Sequence, residues 1–212
     1  MRIDIWSDYA CPFCYIGKRK LEKALEEFKG KEDIEIVWRS FQLDPNAKDS
    51  TDIDMVSGLA RKYNMSIEKA QEMINQMDNM AKEVGLNYNF KDMIQTNTLK
   101  AHRLAIYAKE FGLMGEMNER LLKAHFIDGI NIGDIEILGD LAKEVGLNRD
   151  DTLTMLNSDE YIDQVEADRY EAKQLDINSV PFFIFNNKYG VQGAQPTPVF
   201  IDTLEKAILD GN

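Results

Sequence analysis

Residues 7–22, SDYACPFCYIGKRKLE, carry both cysteines of this 212-residue chain, Cys11 and Cys14, two residues apart. Before them, RIDIWS (2–7) alternates apolar Ile3 and Ile5 with polar neighbours, the two-residue period of a short strand. After them, Leu21, Ala24, Leu25 and Phe28 recur at the i, i+3, i+4, i+7 spacing of one apolar helix face. GKED (30–33) is expected to break that helix, and IEIVWRSF (34–41) reads as a second strand whose continuation stops at Pro45. The opening forty residues are thus strand, C-x-x-C, helix, strand: a βαβ unit with the cysteines at the strand-to-helix turn.

A C-x-x-C pair serves as half a zinc site, a redox couple, a structural clip, or two ordinary buried cysteines. Zinc needs four ligands, and the chain adds only two histidines, His102 and His125, both in helical stretches and outside any H-x₃₋₅-H spacing. No metal is expected. A clip over so short a loop removes little entropy from the unfolded chain. A cysteine at the start of a helix meets unpaired backbone N–H groups and the positive end of the macrodipole, which favour a thiolate. Cys11 takes that position; Cys14, one turn further in, would be its resolving partner. Pro12 is accommodated because the first helical turn needs no amide donor. Redox chemistry is the leading reading, with two unreactive buried cysteines as the alternative.

Composition narrows the partners. With 44% hydrophobic and 29% charged residues the chain has the makeup of a globular protein with a proper core. Its net charge of −12 repels phosphate backbones and anionic lipids, so neither nucleic acid nor membrane is an expected partner. The N-terminus has one basic residue and no apolar h-region, which leads to the expectation of a cytoplasmic protein, a compartment where structural disulfides are rare, with a processed secreted form as the alternative.

Residues 51–175 look almost wholly helical. The phrase AKEVGLN occurs at 81–87 and 142–148, and AKEFGL at 108–113. The unequal intervals argue against a solenoid repeat. They suit three helices that share one stop signal, with Gly85, Gly112 and Gly146 in the left-handed conformation and the following leucine packed back on the last turn. From residue 178 the pattern changes. Phe182 to Phe185 reads as a short apolar strand, NNKYG as a turn, and Tyr189 to Gln192 as the returning strand. A last helix has Thr197 as expected N-cap and Pro198 at N1, with Phe200, Leu204, Ala207 and Ile208 on its buried face. The expected domains are 1–50 with 176–212, and a helical insertion over 51–175. SVPFF places Pro181 at the mouth of a core strand, where a cis bond and a trans edge-strand proline are both open readings.

Taken together, SDYACPFCYIGKRKLE, VWRSFQLDP, NTLKAHRLA and SVPFFIFNNKYGVQGAQP resemble the DsbA-like thioredoxin-fold proteins over nearly the whole chain. The nearest branch groups cytosolic dithiol oxidoreductases with 2-hydroxychromene-2-carboxylate isomerase and the kappa-class glutathione transferases. The resemblance implies an α/β thioredoxin fold, β-α-β and β-β-α halves with a large all-helical insertion between them. It implies a cis Val180–Pro181 bond facing the cysteines, with the backbone of Val180 pairing with an extended substrate. It also matches Asn97, Thr98 and His102 to the family's N-T-x-x-A-H-R stretch, which would place Asn97 and His102 at a helix end facing the substrate cleft, with His102 exchanging protons near Cys11; helix capping by Asn97 or Thr98, with His102 packed behind it, is the competing role.

Three departures shape the expected function. Isomerase and transferase members have serine at the first cysteine position, whereas both cysteines are present here. Their Ser-Asp-Arg element for glutathione is replaced by GAQP (193–196). Strongly oxidising relatives hold a histidine between the cysteines, whereas Pro12 and Phe13 stand here, so a less oxidising couple is expected. The expected activity is thiol–disulfide oxidoreduction by Cys11 and Cys14 on a disulfide- or dithiol-containing protein or small molecule. No bound cofactor is expected, with glutathione as a candidate co-substrate. A glutathione-dependent isomerase or transferase of small aromatic compounds, and a non-enzymatic adaptor, are the alternatives.

Overall fold

In the computed structural model, residues 1–28, 34–51 and 53–210 are described. The expected helix break at 30–33 lies outside them. The chain forms two compact units: Met1–Leu43 with Ala167–Asn212, and Asp44–Glu166.

The first unit is built on a four-stranded sheet, β1 (Arg2–Ser7), β2 (Glu35–Ser40), β3 (Phe182–Phe185) and β4 (Tyr189–Gln192), in the order β2-β1-β3-β4. β1 and β2 are parallel and in register from Arg2↔Glu35 to Ser7↔Ser40. β3 runs antiparallel to β1, with Ile5 opposite Phe183, and β4 antiparallel to β3. Between β1 and β2 lies α1 (Pro12–Glu27), and α9 (Thr197–Leu209) follows β4. Ile3, Ile5, Phe183, Phe185 and Val191 share one sheet face by the period-two rule, and they pack with Leu21 and Ala24 of α1 and Phe200, Leu204 and Ala207 of α9. Phe183 and Phe200 meet edge to face at 4.9 Å, a contact worth about 1 kcal/mol beyond its area.

The alternation in RIDIWS suggests one buried face, but β1 is buried on both. Trp6 belongs to a second cluster with Cys11, Cys14, Ala172, Ile177 and Val180. Asp4 is buried because it ion-pairs with Arg2 at 2.7 Å and with Arg39 at 3.0 Å. Arg39 also reaches Asp168 at 3.0 Å, whose carboxylate accepts the Ser40 N–H at 2.8 Å and whose carbonyl accepts the Trp6 indole N–H at 3.1 Å. Asp168 thereby ties the last turns of α8 (Ile162–Gln174) to the sheet and fixes where the chain re-enters it.

The second unit holds α2 (Met55–Tyr63), α3 (Ile67–Lys82), α4 (Leu99–Lys109), α5 (Met114–Phe126), α6 (Ile135–Glu144) and α7 (Arg149–Leu156), and the start of α8. Asp54, Ser66, Asp134 and Asn148 cap α2, α3, α6 and α7 by accepting first-turn amides on their side chains. The three glycine stops form as the sequence indicates. Gly85, Gly112 and Gly146 have φ of 78°, 73° and 99°, and the N–H groups of Leu86, Leu113 and Leu147 reach back to Ala81, Ala108 and Ala142. The start of α9 differs by one residue from expectation. Pro196, in an extended conformation, is the N-cap; Thr197 is the first helical residue and makes no capping bond, because the Val199 N–H is taken by the Pro196 carbonyl at 2.9 Å.

Candidate active site

Cys11 is the N-cap of α1, in an extended conformation (φ −101°, ψ 109°), with Pro12 as the first helical residue and no side-chain cap on the helix. Its N–H donates to the Asp8 carbonyl at 3.1 Å, and its own carbonyl accepts the Cys14 N–H at 3.0 Å. Both cysteines are buried thiols. Cys14 Sγ accepts the backbone N–H of Asp8 at 3.5 Å. Burial, followed by the hydrogen bond to and charge of Cys11, pushes the Cys14 thiol well above its ordinary value, against smaller opposing bonds from Ser7 and Asp8. Cys14 is therefore protonated at neutral pH and must lose its proton to react.

The other wall arrives from 169 residues away. Cys11 Sγ–H donates to the Val180 carbonyl at 3.4 Å, and the Val180–Pro181 bond is cis, as the family resemblance implies. The Pro181 carbonyl accepts the Gly193 N–H at 2.8 Å, and Gln192 Nε2 donates to Ser179 Oγ at 2.6 Å, which holds the proline loop against β4. On the other side a Cβ at Gly17 would stand 2.9 Å from Pro181 Cγ and 3.2 Å from Phe183, so only glycine lets α1 approach the proline this closely. Phe13, Phe41, Phe182 and Ile184 pack around the cluster that holds both sulfurs.

Cys11, Pro12, Phe13, Cys14, Val180 and Pro181 thus all belong to the first unit. Asn97 and His102 belong to the second. There the Asn97 carbonyl oxygen accepts the Leu99 N–H at 2.9 Å, and its amide donates to the carbonyls of Pro45 and Ala47. Thr98 occupies the N-cap position of α4 without a side-chain capping bond, so Asn97 supplies the capping oxygen. His102 is buried on α4, its N–H bonded to the Thr98 carbonyl at 3.0 Å. Among the described residues no group of three or more His, Cys, Asp or Glu is placed to hold a metal ion.

Asp8 escapes a reading based on the motif alone. It is 1% exposed, and its carboxylate accepts the N–H groups of Ala10 at 3.3 Å and Leu43 at 2.8 Å, while its backbone bonds both cysteines. The one signal for it in the sequence is an acid placed three residues before Cys11, between the strand and the helix start.

The strand order, the dithiol at the head of α1 and the cis proline beside it define a thioredoxin-type protein with a helical insertion. The chain belongs to the DSBA-like thioredoxin domain family, whose model matches residues 2–206. It is 34% identical to the protein YwbO of Bacillus subtilis (strain 168) over 99% of this chain and 96% of that one. Among solved structures it is similar to a probable DsbA oxidoreductase from Streptomyces coelicolor, with 39% identity, a TM-score of 0.93, and coverage of 98% of this chain and 89% of that one. The cytosolic disulfide reductase DsbM from Pseudomonas aeruginosa shares the fold at 17% identity and TM-score 0.69, over 98% of each chain. 2-Hydroxychromene-2-carboxylate isomerase shares it at 14% identity and TM-score 0.68, over 98% of this chain and 94% of that one. The last two neighbours bear names of the branch that the sequence resembles, and at that identity they show the shared fold. No helix among the described residues is long and apolar enough to cross a membrane.

Proposed function

We propose that the protein is a thiol–disulfide oxidoreductase in which Cys11 attacks and Cys14 resolves. The observation that carries this reading is the placement of Cys11 Sγ at the head of α1, 3.4 Å from the Val180 carbonyl and next to a cis proline. In the reducing direction the Cys11 thiolate attacks one sulfur of a substrate R–S–S–R′. A Cys11–S–S–R bond forms, the substrate S–S bond breaks, and R′S⁻ leaves to take up a proton. Cys14 then loses its proton and attacks Cys11 Sγ, releasing RS⁻ and leaving a Cys11–Cys14 disulfide. The substrate has gained two electrons, and two thiols of an external reductant regenerate the dithiol. The reverse sequence oxidises a substrate dithiol. Val180, with its backbone at the cysteines, is the ledge for the substrate chain, and Pro12 and Phe13 tune the couple.

Serine in place of Cys14 should leave Cys11 able to form a mixed disulfide that accumulates, while serine in place of Cys11 should abolish both the adduct and turnover. Insulin reduction and mass spectrometry of the trapped adduct read these outcomes. Undiminished turnover by Cys14→Ser overturns the dithiol mechanism in favour of a glutathione-dependent isomerase, which needs no second thiol. DsbM is described as a cytosolic disulfide reductase and was also solved with GSH. On that likeness glutathione is a candidate co-substrate and the cytoplasm the proposed location.

A further inference from the structure

Period two puts Ser7, the last residue of β1, on the sheet face of Ile3 and Ile5, which α1 covers through Leu21 and Ala24. Cys14 lies in the first turn of that helix, and the Ser7 side chain hydrogen-bonds its thiol. The next residue makes a second contact with the same sulfur, the Asp8 N–H at 3.5 Å from Cys14 Sγ. Two consecutive residues thus hold the sulfur of a cysteine that is only 2% exposed. The Ser7 backbone is fixed independently: it pairs with Ser40 in the parallel ladder, and its carbonyl accepts the Phe41 N–H at 3.1 Å. Ser7 is itself buried, so its hydroxyl stands ready at the sulfur without first shedding bulk water.

We propose that Ser7 is a catalytic residue of the resolving step, its hydroxyl and the Asp8 amide forming a two-donor cradle for the Cys14 thiolate. The inference rests on the oxidoreductase reading of the dithiol and adds the group that lets its buried sulfur ionise. A hydroxyl can both accept and donate. In the resting dithiol Ser7 Oγ accepts the Cys14 S–H; once that proton has left, the hydroxyl turns and donates to the thiolate. The Asp8 N–H can only donate. Donors fixed in advance where water is scarce stabilise such a charge strongly. In the mixed disulfide Cys14 gives its proton to water, and its thiolate attacks Cys11 Sγ. The Cys14–Cys11 bond forms, the bond from Cys11 to the substrate sulfur breaks, and RS⁻ leaves with the bonding pair and takes a proton from water. The other groups around Cys14 that titrate or carry charge are Cys11, Asp8 and Tyr9, and Lys18, which is paired with Glu22. Across the Trp6 ring stands Arg39, paired with Asp4, Asp168 and Glu171. Exchange of Ser7 alone leaves all of these in place.

The first measurement needs no turnover. In Cys11→Ala protein the ultraviolet absorbance of the Cys14 thiolate is titrated with Ser7 intact and with Ser7→Ala, Ser7→Thr and Ser7→Val. Threonine and valine share a shape and differ by the hydroxyl, so that pair separates the hydrogen bond from packing and keeps the test readable where Ser7→Ala fails to fold. Ser7→Ala and Ser7→Val should raise the Cys14 midpoint by about one pH unit, the size of a hydrogen bond to a charged group, and Ser7→Thr should leave it in place. An unmoved midpoint in Ser7→Ala, or equal midpoints in Ser7→Thr and Ser7→Val, overturns the proposal. The second measurement keeps both cysteines. Prereduced protein is mixed with rising concentrations of bis(2-hydroxyethyl) disulfide and followed by the fluorescence of Trp6, which packs with the cysteines. The initial slope of rate against concentration reports attack by Cys11, and the plateau reports resolution by Cys14. Ser7→Ala should lower the plateau about threefold at neutral pH, because a thiolate fraction smaller by about tenfold is partly offset by the greater nucleophilicity of the less stabilised thiolate. A slope that falls as far as the plateau counts against a role at Cys14. A shifted midpoint in a protein that turns over no disulfide leaves the cradle standing and the redox reading fallen. Turnover that needs Cys14 beside an unmoved midpoint does the reverse.

Discussion

Cys14 carries the clearest chemical consequence of burial. A thiol pushed above its ordinary value is protonated at neutral pH, so the fraction able to attack grows as pH rises. The release of substrate from a Cys11 mixed disulfide should therefore speed up about tenfold per pH unit between pH 6 and 8, as the Cys14 thiolate fraction grows. Stopped-flow measurement on a preformed adduct checks this, and a flat profile would mean that Cys14 sheds its proton before the rate-limiting step. Phe13 bears on the direction of electron flow. Packed in the cluster around the sulfurs, it offers no cation to the Cys11 thiolate, so the couple should be more reducing than the value of about −120 mV known for a strong oxidant. Equilibration against glutathione buffers gives the number, and Phe13→His should raise it. Asp8 belongs at this scale too: a buried acid held by two amides would read as an ordinary loop residue were its backbone not bonded to both cysteines.

Among the elements, α1 and the cis-proline loop are fitted to each other at Gly17. A methyl group there meets Pro181 Cγ at 2.9 Å, closer than a Cβ contact allows. Gly17→Ala should destabilise the protein by about 1–3 kcal/mol in urea unfolding, the usual result of overfilling a packed core, despite the gain in helix propensity. Unchanged stability would show that the proline loop yields freely. The helical unit was legible for a different reason. Its stop signals are local rules, since a glycine with φ near 80° and a leucine that turns back on the helix involve only six consecutive residues. Strand and helix periods around the cysteines were legible on the same ground. The one-residue error at α9 arose because Thr197 and Pro196 both suit a helix start, and the preference for threonine does not register the extended proline before it.

For the whole molecule, 37 acidic against 25 basic side chains leave a surface that repels itself. Raising salt shortens the Debye length from about 30 Å at 0.01 M to about 8 Å at 0.15 M, so repulsion between distant carboxylates fades first. The melting temperature should rise by several degrees over that range in scanning calorimetry. A fall would mean that short ion pairs such as Arg39 with Asp4 and Asp168 outweigh the general repulsion. The sequence by itself determined the strands, the helix stops and the position of Cys11 at a strand-to-helix turn, since each follows from the spacing and backbone preference of neighbouring residues. Only the tertiary structure decided what faces those cysteines. Val180 stands 169 residues from Cys11, Leu43 grips Asp8 from 35 residues away, and Asp168 reaches the Ser40 N–H from 128 residues away. Such meetings depend on how side chains from distant segments fill one another's space, and no local period records that.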